Sequence, residues 1–243
     1  MNGHASAAPH RDVESDGITR VFSCLADAAD RRTLGRLYER APDGMTLRDL
    51  AVAWVALSVA FAIFLNLPLV RSLVRGAGLD IGLLARELAL AGLTVGVGFL
   101  LHELGHKVVA VHFDQVAIFR ADYGMLAVAV LAALAGFLFA APGAVHHRGR
   151  ISARQNGLIS LAGPVVNVGL VIAFLPLALY GTGFLAAVGN LGVLVNLLLA
   201  AFNMLPIGPL DGRKVLAWSP VVYVAVAAVT IGPAVALLFG LWP

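Results

Sequence analysis

Residues 88–111 read LALAGLTVGVGFLLHELGHKVVAV. The stretch is apolar except for His102-Glu103-Leu104-Gly105-His106 and the lysine that follows. On a helix, positions i and i+4 share one face, so His102 and His106 can present their imidazoles to a common point. Two imidazoles and a carboxylate cost several kcal/mol in hydrocarbon. A bound divalent ion would compensate for that cost. The HExxH spacing is that of zinc sites in which two histidines hold the ion and the glutamate lies beside a water bound to it. Such a site is expected here inside a membrane helix.

The rest of the chain supports a membrane setting. Of its 243 residues, 60% are hydrophobic and only 13% are charged, with a mean hydropathy of +0.89. Soluble domains sit near half apolar and a quarter charged. Apolar stretches occur at Ala51–Val70, Leu88–Val111, Met125–Pro142, Leu158–Tyr180, Phe184–Pro206 and Val221–Trp242. Most can cross a hydrocarbon core that needs about 20 residues. Met125–Pro142 is the shortest. The first 49 residues differ, carrying seven of the 17 basic and eight of the 14 acidic residues. No charged segment leads straight into a short apolar one there, so a cleaved signal peptide is not expected. Cys24 is the single cysteine, which excludes intrachain disulfides and a cysteine-based zinc site. The net charge of +3 and pI near 9.4 do not point to nucleic acid.

Catalytic zinc usually has three protein ligands and one open position. Outside the tail, the remaining candidates are Asp80, Glu87, Asp114, Asp122, Asp211, His112, His146 and His147. Asp211 stands out. It closes the segment Asn203-Met-Leu-Pro206-Ile-Gly-Pro209-Leu-Asp211-Gly212, where two prolines break helical hydrogen bonding. Irregular backbone at membrane depth is tolerated where it lines an enclosed cavity, and such a break can aim a carboxylate into a helix bundle.

For Asp211 to meet the histidines, both must lie at one depth. Their segments then run in the same direction, and one of the two intervening apolar stretches does not cross. Met125–Pro142 is the weaker of the two and is read as re-entrant or surface-lying. With the amino terminus inside, that topology places 14 Lys and Arg on the cytoplasmic side against three outside. This is the bias of the positive-inside rule. If Met125–Pro142 crossed, the tally would be nine against eight. The expected fold is all-α and polytopic, with five full spans, one partial element and a site near the cytoplasmic face.

In the tail, Thr46-Leu-Arg-Asp49 resembles a capping box, with Asp in place of Glu. Leu25 to Leu50 resembles the opening of archaeal winged-helix domains, but recognition helix and wing are missing. A helical lid or anchor on the cytoplasmic surface is the preferred reading of residues 1–49. Residues 50–243 then form the membrane domain, with its core at 88–218.

Three motifs in order carry a family resemblance: HELGH, then Gly163-Pro164-Val-Val-Asn167, then Asn203-x-x-Pro206 with Leu210-Asp211-Gly212. Together they resemble the site-2 protease family of intramembrane zinc metalloproteases. The likeness is greatest to compact archaeal and bacterial members without PDZ or CBS domains. The resemblance implies one zinc per chain on His102, His106 and Asp211, with Glu103 as general base. It also implies a transmembrane protein as substrate and the plasma membrane of a prokaryote as location. Asn203 and Asn167 are candidate contacts to an unwound substrate; each also fits plain helix–helix hydrogen bonding, the preferred reading for Asn167. Val116–Phe119 is an edge strand to which such a substrate could add. Two other classes stay open. One is a metal carrier, which would need polar residues across the whole membrane. The other is an idle sensor with a nucleic-acid- or partner-binding tail, against which Glu103 argues.

Overall fold

The structure is a computed structural model that describes residues 19–24, 45–68, 76, 80–137, 143–148 and 151–240. The winged-helix-like pattern of the tail falls mostly outside them. Helix α1 spans Met45–Leu65. Helix α2, Ile81–Ala91, continues through a π-helical turn at Gly92–Gly96 into α3, Val97–His112. Strand β1 (Val116–Ala121) leads into the short helix α4 (Tyr123–Leu134), and strand β2 is Gly143–Arg148. Then follow α5 (Ala153–Tyr180), α6 (Gly183–Asn203), α7 (Asp211–Trp218) and α8 (Pro220–Leu238).

Among the described residues, five stretches are long and apolar enough to cross a membrane: Leu47–Leu65, Ile81–His112, Ala153–Tyr180, Gly183–Asn203 and Pro220–Leu238. Their outward faces carry exposed aliphatic side chains such as Ile172, Leu179, Val224 and Val229. A helix that is apolar all round is suited to lipid, where no water competes for the backbone. Local signals set the ends. Asp80 accepts from the Leu83 amide at the start of α2. Ser152 and Gln155 form a reciprocal capping box at the start of α5. Ser219 caps α8 ahead of Pro220.

Within Met125–Pro142, the helix found is α4, which has 12 residues. At 1.5 Å per residue that is about 18 Å, well short of a ~30 Å hydrocarbon core. This helix is therefore too short to cross by itself. The order of contacts across α3 and α5 is consistent with this. His106 bonds to Ile159, and His102, one turn earlier, bonds to Asn167, further along α5. The two helices are thus antiparallel. The connection from 113 to 152 starts and ends on one side of the bundle.

The expected lone edge strand is half of a two-stranded antiparallel ribbon. β1 pairs with β2 from Val116 opposite Arg148 to Ala121 opposite Gly143. His146 and His147 lie in β2, opposite Ile118 and Ala117. Helix α1 begins at Met45, and the Thr46 side chain of the expected capping box lies outside the described residues. The Asp49 carboxylate accepts from the Ala121 amide at 3.2 Å and the Tyr123 hydroxyl at 2.7 Å. This ties the start of α1 to the junction of β1 and α4.

The helices pack closely through glycine. A Cβ at Gly189 would strike the α5 backbone at Leu177 and Ala178, and one at Gly192 would strike the Phe174 ring. Small residues permit such contact where no hydrophobic force drives helices together. The largest core cluster unites Val109 of α3, Leu158 and Leu161 of α5, Met204, Val215 of α7 and Val222 of α8. Val21 and Cys24, from the helical turn at 19–24, join it.

Candidate metal centre

His102 and His106 lie on the buried face of α3, one turn apart. Each ring has its outer nitrogen engaged by α5. His106 Nδ1 is 2.7 Å from the carbonyl oxygen of Ile159, and His102 Nδ1 is 2.5 Å from Asn167 Oδ1. Both partners are oxygen acceptors, so both Nδ1 atoms carry the hydrogen. In the neutral rings the lone pairs are then on the Nε2 atoms. Such outer hydrogen bonds fix ring and tautomer in metal sites.

The inner nitrogens converge with one carboxylate oxygen. His102 Nε2 and His106 Nε2 are 3.0 Å apart. Asp211 Oδ2 is 3.1 Å from His106 Nε2 and 3.5 Å from His102 Nε2. A tetrahedral ion with bonds of about 2.0–2.1 Å keeps its ligand atoms about 3.3–3.4 Å apart. The observed triangle fits that spacing on all three sides. Two imidazole lone pairs and a carboxylate pointing together repel one another, and a cation among them reverses the sign. Among the described residues, these three form the one His/Cys/Asp/Glu group close enough to hold a metal, and all three are buried.

Asp211 reaches the site because the chain breaks after α6. Residues 204–210 are irregular, with Gly208 at φ +55. Gly212 then lies against the Met204 carbonyl, where a Cβ would have no room. This contact folds the head of α7 back under α6 and puts Asp211 in its first turn. There the helix dipole favours a carboxylate. The second oxygen, Oδ1, faces Lys214 Nζ at 3.6 Å. Trp218, at the end of α7, packs where a side chain on Gly157 would sit.

Gly163 on α5 closes the site from the side. A Cβ there would stand 2.6 Å from both Nε2 atoms. Only a hydrogen at this position leaves the space between the imidazoles open. Glu103, half-buried and next to His102, lies within electrostatic reach of both histidines, Asp211 and Lys214. At about 100° round the helix from His102 it flanks the ligands without joining them.

Comparison with known proteins agrees with this geometry. The chain is 41% identical over 151 residues to "Putative zinc metalloprotease MJ0611" of Methanocaldococcus jannaschii, covering 60% of this chain and 79% of that protein. The chain belongs to this zinc metalloprotease family. It is also 34% identical over 146 residues to "Putative zinc metalloprotease YwhC" of Bacillus subtilis, covering 51% of this chain and 66% of that one. No family model matches the sequence, and no solved structure matches it.

The structure brings together His102, His106, Asp211 and, beside them, Glu103. It places Asn167 against His102 rather than in an open groove. Asn203 donates its amide to the Leu199 carbonyl one turn back. Sequence reasoning missed Asn196, fully buried and bonded to Asn167 at 2.8 Å. It also missed the steric role of Gly163 and the placement of Lys214. A lone asparagine among leucines carries no spacing signal. A glycine in a membrane helix looks like any other packing glycine.

Proposed function

We propose that this chain is an intramembrane zinc endopeptidase of the site-2 protease type. It would hydrolyse a peptide bond within or near the membrane segment of another protein. The observation that carries this reading is the convergence of Asp211 with His102 and His106, which stand in a long apolar stretch, with Glu103 alongside. Zinc held by those three residues would bring the pKa of a water toward about 7 and polarise a carbonyl. Glu103 accepts the proton of the attacking water and returns it to the leaving amine. No covalent intermediate is required.

A helical substrate hides its carbonyls in i to i−4 bonds, so it must unwind locally, leaving N–H and C=O groups that need partners in a dry site. The free edge of the β1–β2 ribbon and the side-chain oxygen of Asn203 are the proposed partners. Residues 50–243 are the protease domain, with the core at 88–218, and residues 1–49 form a cytoplasmic tail. The amino terminus lies inside the plasma membrane of a prokaryote, and the site opens toward the cytoplasmic side. The charge asymmetry supports this orientation.

The test is cleavage of a reporter membrane helix by the full chain in liposomes. Glu103→Gln should lower the rate by about 10²–10⁴-fold, the usual worth of a general base, while zinc content stays stoichiometric. Cleavage that is unchanged in this variant and insensitive to chelator would refute the proposal.

A further inference from the structure

The two metal-facing histidines are braced by unlike partners. His106 donates to a backbone carbonyl, which can only accept. His102 faces a side-chain amide, which has an accepting end and a donating end of nearly equal shape. If Asn167 turned over, its NH2 would meet Nδ1, the ring hydrogen would move to Nε2, and the lone pair would be lost from the inner face. Something has to fix which end of Asn167 points at the histidine.

We infer that Asn196 of α6 is a positioning residue that, through Asn167, holds His102 in its metal-binding form. This rests on the metal-centre reading above. Asn196 is fully buried, and its Nδ2 donates to the Gly192 carbonyl at 2.8 Å on its own helix. Its Oδ1 is therefore the atom turned toward Asn167, and it can only accept. Asn167, also fully buried, answers with Nδ2 at 2.8 Å. The same Nδ2 lies 3.3 Å from the Gly98 carbonyl, a second obligate acceptor on α3. Both amide hydrogens of Asn167 are thus committed, and Oδ1 is left for the Nδ1–H of His102.

Space for this arrangement exists because residue 98 is glycine. A Cβ there would come within 2.6 Å of Asn196 Oδ1. The chain Gly192–Asn196–Asn167–His102 therefore joins α6, α5 and α3 at one level. Buried at this depth it has no water to stand in for a lost partner, and leaving an acceptor unmade is costly. One polarity of the network satisfies every member, and that polarity leaves the His102 lone pair facing Asp211.

The experiment measures zinc affinity of the full chain in detergent by competition with a chromophoric chelator, together with the cobalt(II) absorption spectrum. Asn196→Leu, close in size but unable to accept, should bind zinc about tenfold more weakly, the lower end of what an outer partner is worth. Its cobalt bands should shift. Asn196→Asp, which in its neutral form offers the same acceptor and donor, should bind like the parent. Asn196→Ala removes the same acceptor and carries the same expectation if leucine is not accommodated. Because Asn196 acts through Asn167, the double variant Asn167→Ala/Asn196→Leu should bind no more weakly than Asn167→Ala alone. Parent-like affinity in Asn196→Leu, or losses that multiply in the double variant, would overturn the inference. A parent chain that binds no stoichiometric zinc, or binds it equally after His102→Ala, would instead sink the metal-centre reading.

Discussion

His102 and His106 stand on one continuous helix with their outer nitrogens held by α5. Asp211 opens an eight-residue helix that follows an irregular segment, and its outer oxygen faces a half-exposed lysine. On one side the ligands are braced by hydrogen bonds to a neighbouring helix, and on the other the ligand is buried but placed by a break in the chain. The difference teaches where tolerance lies. The imidazoles cannot shift without moving α3 against α5. The carboxylate can follow small movements of α7.

That contrast can be broken by substitution at the ligands. His106→Ala and Asp211→Ala should both reduce bound zinc, measured by atomic emission, to background and abolish cleavage. Asp211→Glu should retain zinc at reduced affinity, because the segment at the break can absorb one methylene. His106→Gln should not retain it, since the braced ring has no substitute of its geometry. Equal retention, or equal loss, in these two milder variants would erase the distinction between the sides.

Gly163→Ala sharpens the comparison from the braced side. Its new methyl would occupy the gap between the two Nε2 atoms. Zinc binding should be lost with every ligand present, at an overpacking cost to the apo-protein of about 1–3 kcal/mol. Thermal unfolding and metal content together check it, and a variant that still loads zinc would contradict the described geometry. The smallest effect is expected on the side of the break. Lys214→Gln removes a partly exposed i,i+3 partner of Asp211. Such pairs are worth about 0.3–0.5 kcal/mol, and the ammonium competes with a metal ion for the carboxylate, so zinc affinity should rise by about twofold at most, and less in high salt.

Much of the centre was legible in the sequence because it obeys rules of spacing. His102 and His106 announce themselves by an i, i+4 interval, and Asp211 by the two prolines that end a helix just before it. A partial Met125–Pro142 was expected from charge, and the length of α4 agrees. β2 was not legible, since Gly143–Arg148 has no strong alternation and gains its strand form by pairing with β1. The tie from Asp49 to Ala121 and Tyr123 was not legible, because these partners lie more than 70 residues away in the sequence. Asn196 and Gly163 act through contacts between helices, which a single line of residues does not display.

The π-helical turn at Gly92–Gly96 has a further result. Its wider ring accommodates one residue more than the regular coil would, and each residue turns an α-helix by about 100°. The Trp54 indole, hydrogen-bonded to the Gly92 carbonyl at 3.1 Å, settles against this wide turn. The half of the rod that faces α1 and the half that bears the imidazoles are consequently out of phase, each matched to its own neighbours. Removing a single residue there would restore a uniform screw and rotate the ligand-bearing face away from α5, with no ligand changed.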